Sequence, residues 1–155
     1  MRFTAPCCNN DFLGKVMSKF IYHRRVEFAD TDMAGMVHFS SYFCFLEEAE
    51  HHFLRSLGFS VMMQKDGKHY GMPRVSAQMD FTKPVKFEDV LEIHVTVEKV
   101  GNTSVAYLGE FFLQDQLVAK GRMVSVLCEM SRDCPAKTIP IPEWMRQKLL
   151  GGSGS

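Results

Sequence analysis

FSSYFCFLEEAEHHFLRSL, residues 39–57, predicts one long helix on which the rest of the chain is built. Its bulky apolar residues recur at helical spacing, while most of its charged residues lie off that stripe. Gly58 follows and is expected to end the helix. A helix of about five turns with such a stripe needs a sheet to cover it. The apolar positions are Phe39, Tyr42, Phe43, Leu46, Ala49, Phe53 and Leu57.

Alternating apolar and polar residues outside this helix predict the strands of the covering sheet. The clearest alternation runs through Val75–Phe81 and Leu91–Val97, each typical of a half-buried strand. We therefore expect an α+β fold, with a curved antiparallel sheet of about five strands wrapped around one long helix. The other predicted elements are strands Phe20–Phe28, Val105–Leu113 and Leu117–Met130, with a tight turn near Gln114 and a short final helix Glu143–Leu150.

Length and composition indicate one globular domain with a neutral charge balance. The chain has 155 residues, 46% of them hydrophobic, and 18 basic residues against 18 acidic ones. Proteins that bind duplex phosphates are usually basic, so we expect no nucleic-acid partner. No apolar run approaches the roughly 18–20 residues of a membrane helix, so we expect no membrane partner.

The two ends of the chain differ in composition from the middle. We expect residues 1–16 to form a disordered N-terminal extension, residues 17–150 to form the domain, and GGSGS, residues 151–155, to form a linker-like tail. Five cysteines without a CxxC pair favour reduced thiols, with Cys44 and Cys128 in the core, and no structural metal. This cysteine usage predicts a cytoplasmic protein.

The segment ADTDMAGMVHF, residues 29–39, is the candidate site because it carries two carboxylates and a glycine just before the helix. A helix N-terminus has unpaired N–H groups that can hold a developing oxyanion. Asp32 could serve there as base or nucleophile, and Gly35 could supply a positive φ or a close backbone approach. Alternatively, Asp30 and Asp32 only bond loop amides and cap the helix, and the residues alone leave both interpretations open.

The longer stretch VEFADTDMAGMVHFSSYFCFLEEAEHHFL, residues 26–54, resembles the opening motif of the 4-hydroxybenzoyl-CoA thioesterase family of hot-dog folds. The match places Asp30, Asp32, Gly35, Val37 and Tyr42 in register with that motif. The resemblance continues through the strands that follow and covers about residues 20–130. It implies an acyl-CoA thioesterase without a metal or redox cofactor, since coenzyme A is part of the substrate.

The same resemblance implies roles for individual residues. Asp32 corresponds to the catalytic carboxylate, and Phe39 corresponds to the residue whose backbone N–H contacts the thioester carbonyl. Many relatives carry tyrosine or histidine at that second position, so His38 either replaces the polar side chain or faces solvent. Substrate contacts are expected from Gly35, from Tyr42 and Met72 in an apolar acyl pocket, and from Lys99 and Arg122 on the coenzyme A phosphates.

Three alternatives remain open from the sequence. The acidic helix could place a second carboxylate in the site, although a solvated helix face is the simpler interpretation. A non-catalytic module that binds acyl-CoA or an acyl carrier protein is the second function, because the turn at Lys99–Thr103 is poor in basic residues. Finally, the resemblance implies a homodimer joined edge to edge, or a tetramer of two dimers, with strand Val75–Phe81 in the wall of a shared site.

Overall fold

Two antiparallel sheets and two helices make up residues 19–131 and 135–151, the part of the chain that the computed structural model describes. The predictions for residues 1–16 and for most of the GGSGS tail fall outside these residues. The elements are β1 (Phe20–Arg25), α1 (Ser41–Ser56), β2 (Met62–Lys65), β3 (Lys68–Gly71), β4 (Arg74–Phe81), β5 (Val90–Val100), β6 (Ser104–Leu113), β7 (Gln116–Val126), β8 (Cys128–Met130), β9 (Lys137–Thr138) and α2 (Glu143–Leu149).

The main sheet has five strands in the order β1-β5-β6-β7-β4, and every neighbouring pair is antiparallel. The apolar stripe of α1 packs on this sheet. Phe45, Leu46 and Leu54 of α1 are fully buried in one core with Ile93 and Phe111 of the sheet. The predicted α+β class with an antiparallel sheet is therefore confirmed, and the described residues form two helices and a second sheet besides. Strand β4 lies at one end of the order, so only β7 pairs with it among the described residues.

A second sheet, in the order β2-β3-β8-β9, is absent from the prediction. Residues 65–68, which resemble a loop in the sequence, form the turn of the β2–β3 hairpin. Asp66 and Gly67 both have positive φ, 52° and 74°, which is the conformation of a type I′ turn. The Asp-Gly pair was therefore the signal for this hairpin, and its strands are too short to show a clear alternation.

The last long strand is also broken where the prediction has it continuous. It divides into β7 and β8 at Leu127, whose N–H donates to the Thr103 carbonyl at 2.9 Å and whose carbonyl accepts from Ile139 N–H at 2.9 Å. These bonds lead the chain from the main sheet into the second one. Cys128 is buried as expected, whereas Cys44 is exposed, so its placement in the core was wrong.

Two boundaries differ from prediction on either side of the candidate site. The first strand ends at Arg25, and Phe28–Asp30 forms a short 3-10 turn in which Asp30 Oδ2 accepts the Glu27 N–H at 2.8 Å. The long helix begins at Ser41, because Ser41 N–H bonds the His38 carbonyl in a preceding turn at 2.9 Å. Phe39 therefore lies just before the helix.

We expect Gly109→Ala to lower the free energy of unfolding by about 1–3 kcal/mol, because the new Cβ would overpack the core. That Cβ would lie 2.3 Å from Leu46 Cδ1, and Leu46 is fully buried and has no room to withdraw. Urea unfolding measures the change. The double variant with Leu46→Ala removes the clash, so its loss should be smaller than the sum of the single losses. Additive losses would contradict this account.

Candidate active site

The candidate site begins in a tight turn between β1 and α1. Asp32 N–H donates to the Met36 carbonyl at 2.8 Å, and Gly35 N–H donates to the Asp32 carbonyl at 3.0 Å. Gly35 has a φ of 76°, in the left-handed region that a residue without Cβ adopts at little cost. The expected positive φ at Gly35 is thus confirmed. Its consequence is a chain reversal that fixes the backbone on both sides of Asp32.

The Asp32 carboxylate is held by this turn. Oδ1 accepts the Ala34 N–H at 2.8 Å and the Met36 N–H at 3.3 Å, whereas Oδ2 accepts no hydrogen bond from a described residue. The side chain is half-buried and lines a cavity of about 480 Å³ with Phe28 and Phe87. One oxygen therefore fixes the orientation of the group, and the other stays available for chemistry.

Asp30, the other carboxylate of the motif, has a structural role. Its Oδ2 accepts the Glu27 N–H and lies 3.2 Å from Nη2 of Arg24. Both aspartates therefore accept hydrogen bonds from loop amides, as the alternative interpretation required. Neither of them caps α1, because Ser40 occupies its cap position.

Phe39 presents a free backbone donor next to the helix. Its N–H donates to no described residue, while the neighbouring Ser40 N–H lies 3.4 Å from Nδ1 of His38. It lies just before the N-terminus of α1, where the helix dipole is positive. The side chain of Phe39 is 61% exposed and lines a second cavity, of about 350 Å³. The other lining residues are Met36, Val37, Tyr42, Phe81, Thr82, Lys83 and Pro84.

Tyr42 is buried and lines this second cavity. Its ring centroid lies 5.0 Å from that of Phe81 and 5.5 Å from that of Phe111, with both pairs edge to face. Burial, with a smaller contribution from Asp89, raises the pKa of the Tyr42 phenol to about 12. The phenol therefore stays neutral at physiological pH.

The remaining predicted residues lie in different places. His38 is exposed, its Nδ1 lies 2.8 Å from Ser40 Oγ, and its ring packs on Phe39. Met72 is buried in the core, and Lys99 is exposed on β5. Arg122 on β7 donates from Nε to Glu98 Oε2 at 2.6 Å. Met72, Lys99 and Arg122 line neither of the two cavities, so one chain does not bring them to Asp32.

Asp32 and Phe39 themselves line separate cavities in one chain. Met36 connects them, because it bonds Asp32 and lines the cavity of Phe39. The sequence predicted strand Val75–Phe81 in the wall of a shared site, but not residues 82–84, which also line this second cavity. The available signal was that Phe81 ends an alternating strand and is followed at once by Thr-Lys-Pro.

The acidic side of α1 contains an exception that the sequence analysis placed on a solvated face. Glu50 is fully buried. Nη1 of Arg74, the first residue of β4, lies 2.5 Å from its Oε2. Burial raises the pKa of Glu50 to about 7, which the Arg74 charge offsets only in part. Sequence position could have shown this, since Glu50 lies four residues from Leu46 and four from Leu54, both on the buried stripe.

Comparison with known proteins assigns the fold to a family. Residues 26–149 match the thioesterase-like superfamily. The chain belongs to the thioesterase-like superfamily. Membership confirms the predicted enzyme class, a thioester hydrolase. The family match is at the level of this superfamily, so the narrower resemblance to 4-hydroxybenzoyl-CoA thioesterases stays a prediction.

Individual members of the thioesterase-like superfamily are similar over most of their length. A 1,4-dihydroxy-2-naphthoyl-CoA hydrolase of Synechococcus sp. (strain WH7803) is 29% identical over 137 residues, which are 83% of this chain and 89% of that protein. The structure of a gentisyl-coenzyme A thioesterase is 30% identical, with a TM-score of 0.71 and coverage of 83% and 98%. A 1,4-dihydroxy-2-naphthoyl-CoA thioesterase structure from Synechocystis, 24% identical, shares the fold with a TM-score of 0.73 and coverage of 85% and 96%.

Proposed function

We propose that this protein is an acyl-CoA thioesterase of the hot-dog fold, which hydrolyses a thioester to a carboxylic acid and free coenzyme A. The observation that carries the proposal is the Phe39 N–H just before α1, which donates to no described residue and lies in the same loop that holds the Asp32 carboxylate. Family membership supports the reaction type, and these two groups supply the parts that acyl transfer needs.

In the proposed reaction the Phe39 N–H donates to the thioester carbonyl oxygen, whose negative charge grows as the tetrahedral intermediate forms. A donor of this kind lowers the barrier by about 3–4 kcal/mol, and the positive end of α1 adds to the effect. The donor is a backbone group, so phenylalanine in place of a polar side chain leaves it intact.

Asp32 has two roles consistent with the free Oδ2. As a general base it takes a proton from water, the water oxygen bonds to the carbonyl carbon, and the C–S bond breaks. As a nucleophile it attacks the carbon itself and forms a mixed anhydride, which water then hydrolyses. In both routes the thiolate of coenzyme A leaves and takes up a proton. His38, exposed beside Phe39, would contact the thioester from the solvent side.

We propose an aromatic acyl group as the substrate. The cavity beside Phe39 is lined by the rings of Tyr42 and Phe81, and at about 350 Å³ it has the size of a small-molecule pocket. The relatives named above act on 1,4-dihydroxy-2-naphthoyl-CoA and gentisyl-CoA, which also carry aromatic acyl groups. 4-Hydroxybenzoyl-CoA remains a candidate from the sequence resemblance.

A panel of acyl-CoAs tests this function by the release of free thiol. We expect the benzoyl and naphthoyl thioesters to give a higher kcat/KM than hexanoyl-CoA and decanoyl-CoA. The alternative, a binding module for acyl-CoA or acyl carrier protein, predicts a rise in melting temperature without thiol release. That second result across the whole panel would overturn the enzymatic proposal.

The site is proposed to be completed by a second copy of the chain. One edge of strand β4 pairs with no other strand in the described part of the chain, and the strand has exposed apolar side chains, with Val75 59% and Phe81 45% exposed. Edge-to-edge pairing of two β4 strands would cover them and would bring Met72, Lys99 or Arg122 of one chain toward the site of the other. A pair of such dimers would form the tetramer.

A reducing, cytoplasmic location is proposed from the cysteine usage. Neither helix among the described residues could span a membrane.

We expect the active species to have at least twice the chain mass of 17.7 kDa. Light scattering at the assay concentration measures this mass. Val75→Lys on the open edge should lower both the mass and the activity, because buried like charges would face each other across the two-fold axis. Val90→Lys, at an exposed valine of β5 away from this edge, is the matched control. A fully active monomer would refute the shared site.

A further inference from the structure

Strand β4 is attached to α1 at its two ends. At the end of the strand, the Phe81 ring packs edge to face on Tyr42 of α1. At its start, the guanidinium of Arg74 lies 2.5 Å from Glu50 and 3.5 Å from Glu47, both on α1. Between these points one edge of the strand bonds β7, and the other pairs with no described strand. These two side-chain contacts thus join the two ends of β4 directly to α1.

The Arg74 contact is unusual because its partner is fully buried. Arg74 Nη1 also donates to Ser125 Oγ of β7 at 2.8 Å, so one guanidinium joins α1, β4 and β7. Among the described residues, the buried side-chain polar atoms without a hydrogen bond are the two carboxyl oxygens of Glu50 and the hydroxyl of Tyr107 on β6. A buried, incompletely bonded ion pair is a poor source of stability, and apolar residues would pack there at less cost.

We propose that Glu50 is a positioning residue. Through Arg74 it fixes the start of β4 against α1, and thereby holds Phe81 in the wall of the second cavity, the one beside Phe39. The inference rests on the proposed function for its effect on substrate, but its structural part stands on the contacts of β4 alone. A buried carboxylate suits this role because it can hold a guanidinium in one place, whereas an exposed one exchanges with water.

The charges around Glu50 make the contact dependent on pH. Three titratable groups interact with it: Glu47 on α1, Arg74 on β4 and Tyr107 on β6. Burial raises the pKa of Tyr107, so its phenol stays neutral near pH 7. When Glu50 takes up a proton, Arg74 keeps the neutral Ser125 hydroxyl and, as its charged partner among the described residues, Glu47, whose side chain is 54% exposed. Because burial raises the pKa of Glu50 to about 7, the contact is expected to weaken just below neutrality.

Hydrogen exchange of the β4 amides, with the amides of central strand β5 as internal reference, tests the structural part. After correction for intrinsic rates, β4 in the wild type should exchange faster relative to β5 at about pH 6 than at about pH 8. Glu50→Gln should show the faster exchange at both values. Glu47→Gln is the matched control one turn away, and should keep the wild-type pH dependence.

Kinetics test the functional part. With the best aromatic acyl-CoA, Glu50→Gln should raise KM about tenfold and change kcat little, because the wall of the pocket moves while Asp32 and Phe39 stay in place. If Glu50→Gln does not fold, Arg74→Gln changes the partly exposed partner of the pair. This variant should give the same faster β4 exchange and the same rise in KM. Wild-type KM together with wild-type β4 exchange would overturn the proposal. If the wild type hydrolyses no acyl-CoA, the proposed function has failed, and β4 exchange that is independent of pH and of Glu50 would overturn the positioning role separately.

Discussion

Asp32→Asn is expected to lower kcat for acyl-CoA hydrolysis by about 10²–10⁴-fold, the usual contribution of a general base. Asparagine keeps an oxygen that can accept the Ala34 and Met36 amides, so the turn should survive. The substitution removes the negative charge that Oδ2 needs to take a proton or to attack the thioester carbon. Steady-state release of thiol measures kcat, and a thermal melt verifies that the variant folds.

Asp30→Asn is the matched control for this variant, two residues away in the same loop. Asp30 holds Arg24 and the Glu27 amide, so its loss should lower the melting temperature while most of kcat remains. The opposite ranking, with Asp30 essential for turnover and Asp32 dispensable, would exchange the two roles. Equal activity of the wild type and Asp32→Asn would remove Asp32 from the mechanism.

Glu50→Gln is expected to gain stability relative to the wild type as pH rises. The folded-state pKa of Glu50, raised to about 7 by burial, lies above the usual value of 4.5. Its contribution to stability is therefore fully present below pH 4.5 and is lost as pH rises through about 7. The loss corresponds to about 3 kcal/mol in the free energy of unfolding. Glutamine does not titrate, so the Glu50→Gln variant does not undergo this loss of stability.

Urea unfolding of both chains at about pH 5 and about pH 8 measures this difference. The other titrating groups are common to both chains, so the change in the stability difference between the two pH values isolates Glu50. Glu47→Gln should give a much smaller change, since Glu47 is solvated. A stability difference that does not vary with pH would mean that Glu50 stays ionised in the folded protein. The ionised pair would thus cost global stability while it fixes β4 locally.

Local patterns in the sequence predicted the parts of the fold that depend on one periodic face. The stripe from Tyr42 to Phe53 identified α1, and alternation identified β4 and β5. The break at Leu127 could not be predicted, because it arises from hydrogen bonds to Thr103 and Ile139, distant in the chain. The short strands of the second sheet carry too few residues for a period to show.

The candidate site was predictable to the extent that it lies in one loop. Gly35, Asp32 and Phe39 are close in sequence, and the glycine predicted the positive φ of the turn, but Asp32 and Phe39 line separate cavities of one chain. Lys99 and Arg122 come from separate strands, and in the proposed assembly from a second chain, so no local pattern could place them. Periodicity alone, read with the helix spacing, would have found the buried Glu50.

The open edge of β4 also bears on aggregation. An unpaired strand edge beside exposed apolar side chains is the kind of surface to which unrelated chains add during folding or storage. Here Arg74 begins the strand, Asp80 precedes its last residue, and Lys83 follows shortly after it. A foreign strand would have to match this order of charges as well as the apolar side chains between them. The edge is therefore selective for strands with complementary charges. The charged residues at its ends oppose non-specific pairing and aggregation.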